Sequence, residues 1–235
     1  MDAVSVGWAR LEVSDGAIAL NETSANGNGW VKPEGSELVT DRLAANSIPC
    51  NLCVFASAST FSALSAGGTQ TEVINRLVSA ARPYAGLTID FEGLKSAQRE
   101  PFTAFMTALR AALPAGQSLY VCVQPDTWYG GFDYRALGEL CDKVILMAHD
   151  YQWSSIPDYY VGTSNTYCPV TPFDKVYTAL RHVTDPVTGV QDKSKLALAI
   201  SFNTTGFHVD ASGNLMDTTF YHPSAATICL LYTSP

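Results

Sequence analysis

The sequence predicts an α/β protein built as a (β/α)8 TIM barrel, of which the chain contains most of the strands. Short, almost wholly apolar runs alternate with stretches of helical periodicity, as expected for parallel strands buried on both faces. The length of 235 residues is also close to the roughly 250 residues of a typical barrel. No Gly-x-Gly-x-x-Gly motif or phosphate-binding loop follows a strand, so an open, nucleotide-binding sheet is disfavoured.

Six runs are predicted to be strands, and a complete barrel would have eight. A weaker run covers residues 4–9, and five stronger runs cover residues 51–56, 86–92, 119–123, 143–148 and 195–202. We therefore expect the barrel to be incomplete at both ends, with the first and last strands missing. The barrel is assigned to residues 1–207, and residues 208–235 are expected to form an irregular tail that is truncated or non-native at its end.

Helical patterns fill four of the gaps between these strands. Thr69 and Glu72 have the spacing of a capping box ahead of an apolar stripe, and Pro101 opens a second helix. Asp133 is placed to cap a third helix, and Pro172 to open a fourth. The residues predicted to face the core are Val73, Ile74, Leu77, Val78 and Ala81; Phe102, Phe105, Met106, Leu109 and Leu113; Leu137, Leu140 and Cys141; and Phe173, Val176, Tyr177 and Leu180.

Charge and composition exclude several classes of function. The formal net charge is -8 and no run of Lys or Arg occurs, which argues against a surface for nucleic acid or for an anionic membrane. An uncharged carbohydrate partner fits this balance. No run approaches the roughly 20 apolar residues of a membrane span, and the first residues lack the pattern of a signal peptide.

The cysteines are expected to be free thiols. Cys53, Cys122 and Cys141 fall inside apolar runs, where a thiol behaves as a small apolar side chain. Cys50 and Cys53 have the spacing of half a zinc site, but the sequence contains no second pair and no His-x-x-x-His partner. Neither a metal nor another cofactor is therefore expected.

The strand predicted over residues 86–92 contains the strongest candidates for chemistry. Side chains alternate along a strand, so Thr88, Asp90 and Glu92 share one face, which we place toward the barrel axis. Glu92 then lies at the carboxyl end, where barrel enzymes have their active sites. Two carboxylates on one face raise the pKa of at least one of them, which allows a Glu to act as a general acid. The alternative is a structural ion pair with an interior base, and the nearest base is Lys95.

A second carboxylate, Asp150, follows the strand predicted over residues 143–148. Residues 147–153 read Met-Ala-His-Asp-Tyr-Gln-Trp, so a buried strand turns abruptly into polar and aromatic residues, as at a carbohydrate-binding rim. Taken alone, the aromatic cluster fits loop packing as well as a sugar platform. An isolated His149 is more often structural than catalytic.

Together these segments resemble glycoside hydrolase family 18, which includes chitinases, endo-N-acetylglucosaminidases and spore-cortex or peptidoglycan hydrolases. The signature strand of that family reads Asp-Gly-x-Asp-x-Asp-x-Glu, and residues 85–92 read Ala-Gly-Leu-Thr-Ile-Asp-Phe-Glu. Residues 147–150 match the family's Met-x-Tyr-Asp, and residues 195–202 are similar to its seventh strand. Residues 99–113 are similar to the helix after the signature strand in the spore-hydrolase branch, so the likeness covers about residues 4–207.

The resemblance implies a role for each matched position. Glu92 would protonate the glycosidic oxygen, and Asp90 would orient the 2-acetamido group of the substrate, whose oxygen attacks the anomeric carbon in place of an enzyme nucleophile. Asp150 would hold the acetamido group or the attacking water, and His149 stands where the family has Tyr. The substrate-binding residues that the resemblance implies are Thr88, Gln124, Trp128, Tyr129, Met147, Tyr151 and Trp153.

Two departures from the family pattern bear on activity. Ala85 and Thr88 stand where the signature strand has its first two carboxylates. Asp90 is therefore expected to titrate lower than in a complete ladder, and activity to be reduced or shifted in pH optimum. His149 in place of Tyr removes a phenol that would bind the acetamido carbonyl, although a histidine N–H can replace it. The family's tryptophan on the eighth strand has no counterpart.

The sequence thus predicts a retaining glycosidase that acts on glycan containing β-linked N-acetylglucosamine, in peptidoglycan, spore cortex or chitin. Its expected location is outside the cell or at the cell wall. Three alternatives stay open. They are a barrel that binds carbohydrate without catalysis, an enzyme in which Asp150 is a covalent nucleophile, and a fragment without activity of its own.

Overall fold

In the part of the chain that the structure describes, seven strands form one sheet and two form a hairpin. The structure, a computed structural model, describes residues 2–14, 17–23, 29–66, 68–152, 154–166, 168–201, 203–224 and 227. The strands of the sheet are β1 (Val4–Ser14), β2 (Ala17–Asn21), β3 (Cys50–Ser57), β4 (Gly86–Glu92), β5 (Ser118–Val123), β6 (Lys143–Leu146) and β7 (Leu196–Leu198). The hairpin strands are β8 (Gly206–Val209) and β9 (Leu215–Tyr221).

Six α-helices lie between these strands in the described residues. They are α1 (Ser36–Ala45), α2 (Ala58–Ala66), α3 (Gln70–Ala81), α4 (Arg99–Ala112), α5 (Tyr134–Leu140) and α6 (Phe173–Val183). Asp133 accepts a hydrogen bond from the Ala136 N–H at 3.0 Å and caps α5 as predicted. The predicted capping box at Thr69 is wrong, because its side chain makes no capping bond to α3. None of the described helices is long and apolar enough to cross a membrane.

The strands follow one another across the sheet almost in chain order. The order is β2-β1-β3-β4-β5-β6-β7, and every neighbouring pair is parallel except β1 with β2. A parallel sheet wound in one direction, with helices between successive strands, is the arrangement of a β/α barrel. Over the described residues the sheet does not close on itself, so the predicted class, a partial barrel, is confirmed.

All six predicted strands occur, and three of them, β1, β6 and β7, differ from the prediction by more than one residue. β6 ends at Leu146, so its predicted extension to residue 148 is wrong. β1 continues to Ser14, and β2, which the sequence analysis missed, returns beside it as an antiparallel strand. β7 ends at Leu198, so the predicted extension of this strand to residue 202 is wrong for residues 199–201; Phe202 lies outside the described residues. The reason is that β7 pairs with β6, whose last paired residue is Leu146, and no residue that the structure describes continues the ladder.

The chain divides into two compact units. The first comprises Met1–Met147 with Ala179–Leu198, and the second Ala148–Thr178 with Ala199–Pro235. The second unit contains the β8–β9 hairpin, in which Gly206 pairs with Tyr221. Sequence analysis expected the irregular tail to begin within this hairpin, at residue 208. The expected non-native end, residues 228–235, lies outside the described residues.

A cluster of phenylalanine rings joins the sheet to its helices. Phe91 of β4 lies 5.9 Å from Phe61 of α2, and 5.8 Å and 5.5 Å from Phe102 and Phe105 of α4, measured between ring centroids. All four rings are almost fully buried. Because side chains alternate along a strand, this packing turns the even-numbered residues of β4 toward the opposite face.

Other predicted core positions are confirmed in part. The stripe on α3 is buried at Val73, Ile74, Leu77 and Ala81. On α6, however, Phe173 and Tyr177 are 84% and 54% exposed, so their predicted inward orientation is wrong. Residue spacing identifies an apolar helix face, whereas burial also requires a surface that packs against that face.

The described cysteines are free thiols, as predicted, and most of them are buried. Cys53, Cys122, Cys141 and Cys168 have little exposed surface, Cys50 is partly exposed, and Cys229 lies outside the described residues. Among the described side chains, no group of three or more His, Cys, Asp and Glu is arranged to hold a metal ion.

Phe91→Ala should lower the free energy of unfolding by about 3–5 kcal/mol, because it removes the ring at the centre of the phenylalanine cluster and leaves a cavity. Denaturant unfolding measures the change. Phe173→Ala, which removes an exposed ring of the same size, is the matched control and should stay within about 0.5 kcal/mol of the parent. Equal losses in the two variants would contradict the assignment of the core.

Candidate active site

The inner face of the sheet, opposite the phenylalanine cluster, presents the two carboxylates of β4. Asp90 is 6% exposed, and Glu92, the last residue of the strand, is partly exposed. On the neighbouring strand β3, Phe55 lies beside Asp90 and Ser57 beside Glu92. The site therefore has one carboxyl below the surface and one at the carboxyl edge of the sheet, where β/α barrels have their active sites.

Thr88 occupies the position below Asp90 on the same face. Its side chain is almost fully buried, and its hydroxyl shares a hydrogen bond of 2.6 Å with the hydroxyl of Ser5 on β1. The hydroxyl is therefore engaged with the sheet. Thr88 links β4 to β1 in the floor of the site.

Burial is the main influence on the acidity of Asp90. Loss of solvation and the negative charge of Glu92 both raise its pKa, desolvation more strongly, and a hydrogen bond from the Cys122 thiol lowers it, so the resulting pKa is about 7. One of its oxygens, Oδ1, is buried without a hydrogen-bond partner. The pair therefore contains one carboxyl with a raised pKa, as expected. The missing carboxylates at Ala85 and Thr88 do not leave Asp90 with an ordinary acidity, because burial is the larger cause.

The alternative of a structural ion pair with Lys95 has no support at Asp90. The Lys95 ammonium lies 4.2 Å from the centroid of the Tyr129 ring, in a cation–π contact. Among the described residues no ion pair to Asp90 is present. The Lys95 contact also occupies one face of Tyr129, which the resemblance assigns to sugar binding.

Gln124 connects the end of β5 to the end of β4. Its Oε1 accepts a hydrogen bond of 2.6 Å from the N–H of Gly93, the residue after Glu92, and its backbone carbonyl accepts one of 2.7 Å from the Tyr134 hydroxyl. Gly93 has φ 75°, a left-handed conformation that glycine adopts without strain. These contacts hold the backbone that follows Glu92. Sequence analysis missed Gly93 and Tyr134, although the glycine directly after the signature strand was a usable signal.

Three further predicted residues belong to the same unit. Met147 is buried, and its N–H donates to the Val123 carbonyl at 2.9 Å, so the chain after β6 stays beside β5. Trp128 and Tyr129 lie in the connection between β5 and α5. Trp128 is 37% exposed, and Tyr129 is partly buried.

The remaining predicted site residues belong to the second unit. Asp150 accepts a 2.8 Å hydrogen bond from His149 Nδ1, or forms the equivalent ion pair, and has φ 62°, which is uncommon outside glycine. Asp150 is half exposed and His149 mostly buried. Burial raises the pKa of the Tyr151 phenol, as does the charge of Asp174. Trp153 lies outside the described residues.

A cavity of about 410 Å³ lies elsewhere in the first unit. Its wall includes Asp126 and His182, which share a hydrogen bond of 2.6 Å between Oδ1 and Nδ1. None of the predicted site residues lines this cavity. The carboxylates of β4 therefore do not belong to the wall of this cavity.

Comparison with known proteins identifies one family and several relatives. The model of glycosyl hydrolases family 18 matches residues 55–227. Cortical fragment-lytic enzymes are 25% identical over 116 residues in Bacillus anthracis and 32% identical over 100 residues in Bacillus subtilis, which is 46% and 38% of this chain. These matches cover 26% and 23% of those enzymes, so the chain spans about a quarter of the length of the curated relatives it matches.

Solved structures agree with this assignment at the level of the fold. A chitinase from Chromobacterium violaceum superposes with a TM-score of 0.70 at 21% identity, over 98% of this chain and 69% of that one. The spore cortex-lytic enzyme of Bacillus cereus superposes with a TM-score of 0.68 at 18% identity, over 98% of this chain and 51% of that one.

Asp90→Asn should change stability in a pH-dependent way. The folded protein holds a proton on Asp90 up to about pH 7, whereas an unfolded chain loses it near the ordinary value of 3.8. Stability of the parent should therefore fall as the pH rises from about 4 to about 7, and Asn has no such proton to lose. Denaturant unfolding measures the free energy of unfolding of both proteins at about pH 5 and about pH 8. The value for the variant relative to the parent should rise by about 2–3 kcal/mol between these two pH values.

The exposed Asp41 provides the matched control for this experiment. Asp41→Asn should show the same small difference from the parent at both pH values. If Asp90→Asn behaved in the same way, Asp90 would have ordinary acidity, and the proposed desolvation of the site would be wrong.

Proposed function

The chain belongs to glycosyl hydrolase family 18, and we propose that it is a retaining glycosidase for glycan containing β-linked N-acetylglucosamine. In this proposal the acetamido group of the substrate is the nucleophile. The observation that supports it most is the placement of Asp90 and Glu92 on one face of β4, with Glu92 at the carboxyl edge of the sheet. That arrangement provides an acid at the surface and a desolvated carboxyl beneath it.

The carboxyl pair keeps at least one proton up to about pH 7, where Asp90 titrates. In the free protein the proton lies on Asp90. When the acetamido N–H of a bound sugar donates a hydrogen bond to Asp90, the ionised form of Asp90 is favoured. The proton is then available to Glu92, two positions along the same face.

The proposed reaction proceeds in two steps. Glu92 gives its proton to the glycosidic oxygen while the acetamido oxygen attacks the anomeric carbon, so the bond to the leaving sugar breaks and an oxazolinium ion forms. Ionised Asp90 stabilises the positive charge of that ion. A water molecule then adds to the anomeric carbon as the bond from that carbon to the acetamido oxygen breaks, which releases the neutral acetamido group. The water gives its proton to Glu92, so the acid is restored and the configuration is retained. No metal or cofactor takes part.

Other residues would position these groups. The hydrogen bond between Gln124 and Gly93 fixes the backbone next to Glu92, and Thr88 supports Asp90 from below. We assign Asp150 to hold the acetamido group or the attacking water, with His149 orienting its carboxylate. Sugar contacts are assigned to Met147, Trp128, Tyr129, Tyr151 and Trp153.

Peptidoglycan of the cell wall or spore cortex is the preferred substrate, and chitin is the other candidate. The preference rests on the relatives, which are named cortical fragment-lytic enzymes. Such substrates place the protein outside the cell or at its wall. A nucleic acid or a membrane is not proposed as a partner, since the formal net charge is -8 and no basic run is present.

A carbohydrate-binding barrel with impaired catalysis is the second candidate. Ala85 and Thr88 favour this candidate, because they stand where the family's signature strand has its first two carboxylates. The Thr88 hydroxyl bonds to Ser5 instead. Retention of Asp90 and Glu92 favours the enzyme, because binding alone does not require a general acid. Turnover of an N-acetylglucosamine oligomer measured beside calorimetric binding separates the two, since binding without product would support the second candidate.

Glu92→Gln should reduce hydrolysis of an N-acetylglucosamine oligomer by at least about a hundredfold, because the amide cannot donate the required proton. Product analysis by chromatography measures the loss. Glu72→Gln, at an exposed position on α3, should retain full activity. Undiminished turnover in Glu92→Gln would end the proposal. Cleavage of an oligomer that lacks acetamido groups would instead favour Asp150 as a covalent nucleophile.

The rate of hydrolysis should fall as the pH rises through about 7, because the carboxyl pair then loses its last proton. In Asp90→Asn the residual rate of hydrolysis should fall at a lower pH than in the parent. The reason is that Glu92 then has no ionised Asp90 beside it, whose charge would oppose loss of the Glu92 proton. The pH dependence of kcat/KM, which reports the titrating groups of the free protein, tests this in both proteins. If the pH at half-maximal rate were the same in the variant and the parent, Asp90 and Glu92 would not titrate together.

A further inference from the structure

An indole ring that the proposed reaction leaves without a role lies on the inner face of the sheet. Trp30 follows β2 in the chain, and its ring packs on β1 at Gly7 and on β3 at Phe55. The ring centroids of Trp30 and Phe55 are 5.1 Å apart with an interplanar angle of 18°, a stacked pair. Both residues remain partly exposed, so the pair keeps accessible aromatic surface.

Gly7 provides the space for this ring. A Cβ atom at residue 7 would lie 3.0 Å and 3.1 Å from two carbon atoms of the indole, closer than an ordinary van der Waals contact. The ring therefore rests directly on the backbone of β1. Even an alanine at this position would require the ring to shift by a few tenths of an ångström.

The strand register places the stacked pair at the level of Asp90. In the β3–β4 ladder Phe55 lies opposite Asp90, and in the β1–β3 ladder Arg10 lies opposite Phe55. Paired residues of neighbouring strands project to the same face. The rings of Phe55 and Trp30 thus lie on the face of the two carboxylates, one residue pair below Glu92.

Buried and strained groups hold Trp30 in this position. Its backbone has φ 60°, an unfavourable conformation for a bulky residue. Arg10 is 2% exposed, and its guanidinium donates to the carbonyls of Thr23 at 2.6 Å and Trp30 at 3.4 Å while pairing with Glu12 at 2.9 Å. Burial of a guanidinium and strain at a backbone both oppose folding, and such features concentrate at functional sites.

We propose that Trp30, backed by Phe55, is the platform on which a sugar ring of the substrate rests beside Asp90. A hexose presents an apolar face of C–H groups, which packs on an aromatic ring, and polar groups at its edge, which the carboxylates bind. The class of ligand is an uncharged N-acetylated hexose. The inference rests on the proposed function and adds a contact that the sequence analysis did not assign.

The test is calorimetric titration of Glu92→Gln protein with a tetramer of N-acetylglucosamine, which measures binding in the absence of turnover. Adding Trp30→Ala should weaken binding about tenfold, as expected for loss of one aromatic contact. Trp30→Phe should recover part of the affinity. Gly7→Ala should weaken binding with Trp30 still present, because the added methyl displaces the ring.

The matched control is Tyr159→Ala, which removes an aromatic ring that is 74% exposed and should leave affinity unchanged. Indole fluorescence gives a second readout that a purely structural Trp30 would not produce. The tetramer should change the fluorescence of the Glu92→Gln parent, and the part of that change that comes from Trp30 should disappear in Trp30→Phe. This comparison decides the question even if Trp30→Ala does not fold.

The outcomes separate the inference from the proposed function. If the wild-type protein hydrolyses the tetramer while folded Trp30→Ala and Gly7→Ala bind it as tightly as the parent, the platform is wrong and the glycosidase stands. If the wild type neither hydrolyses nor binds it, both are wrong. Weaker binding in the two variants, with unchanged affinity in the control, supports the platform.

Discussion

The burial of the Asp90 carboxyl on the inner face of β4 is the constraint on which the site depends. Removal from water, together with the charge of Glu92, raises the pKa of Asp90 to about 7. A carboxyl pair that keeps one proton near neutral pH can supply a general acid without a metal. If Asp90 were exposed, both groups would ionise and the acid would be lost.

Contacts on the two faces of β4 offset the unfavourable burial of the Asp90 carboxyl. On the outer face, Phe91 packs into rings from α2 and α4, and this apolar contact stabilises the strand. On the inner face, Thr88 bonds to Ser5, and Gln124 bonds to the residue after Glu92. Stability therefore comes mainly from one face of the strand, and the polar groups of the other face are held by neighbouring strands.

Features set within one helix or strand could be predicted from the sequence, whereas features set by a packing partner could not. Apolar runs and helical spacing predicted β3 to β6 and the buried stripes of α3 and α4, because burial of side chains selects residues locally. The exposed rings of Phe173 and Tyr177, and the early end of β7, depend on whether another surface or strand lies alongside. Residue spacing within one element contains no information about that partner.

The candidate site shows the same limit at the scale of single residues. The sequence alone determined that Asp90 and Glu92 share a face, since alternation along a strand is a local rule. Tertiary structure decided that Asp90 is desolvated, that Lys95 contacts Tyr129, and that Trp30 lies on Gly7 beside Phe55. These contacts join segments far apart in the chain, and their energies arise only when folding removes water from between them.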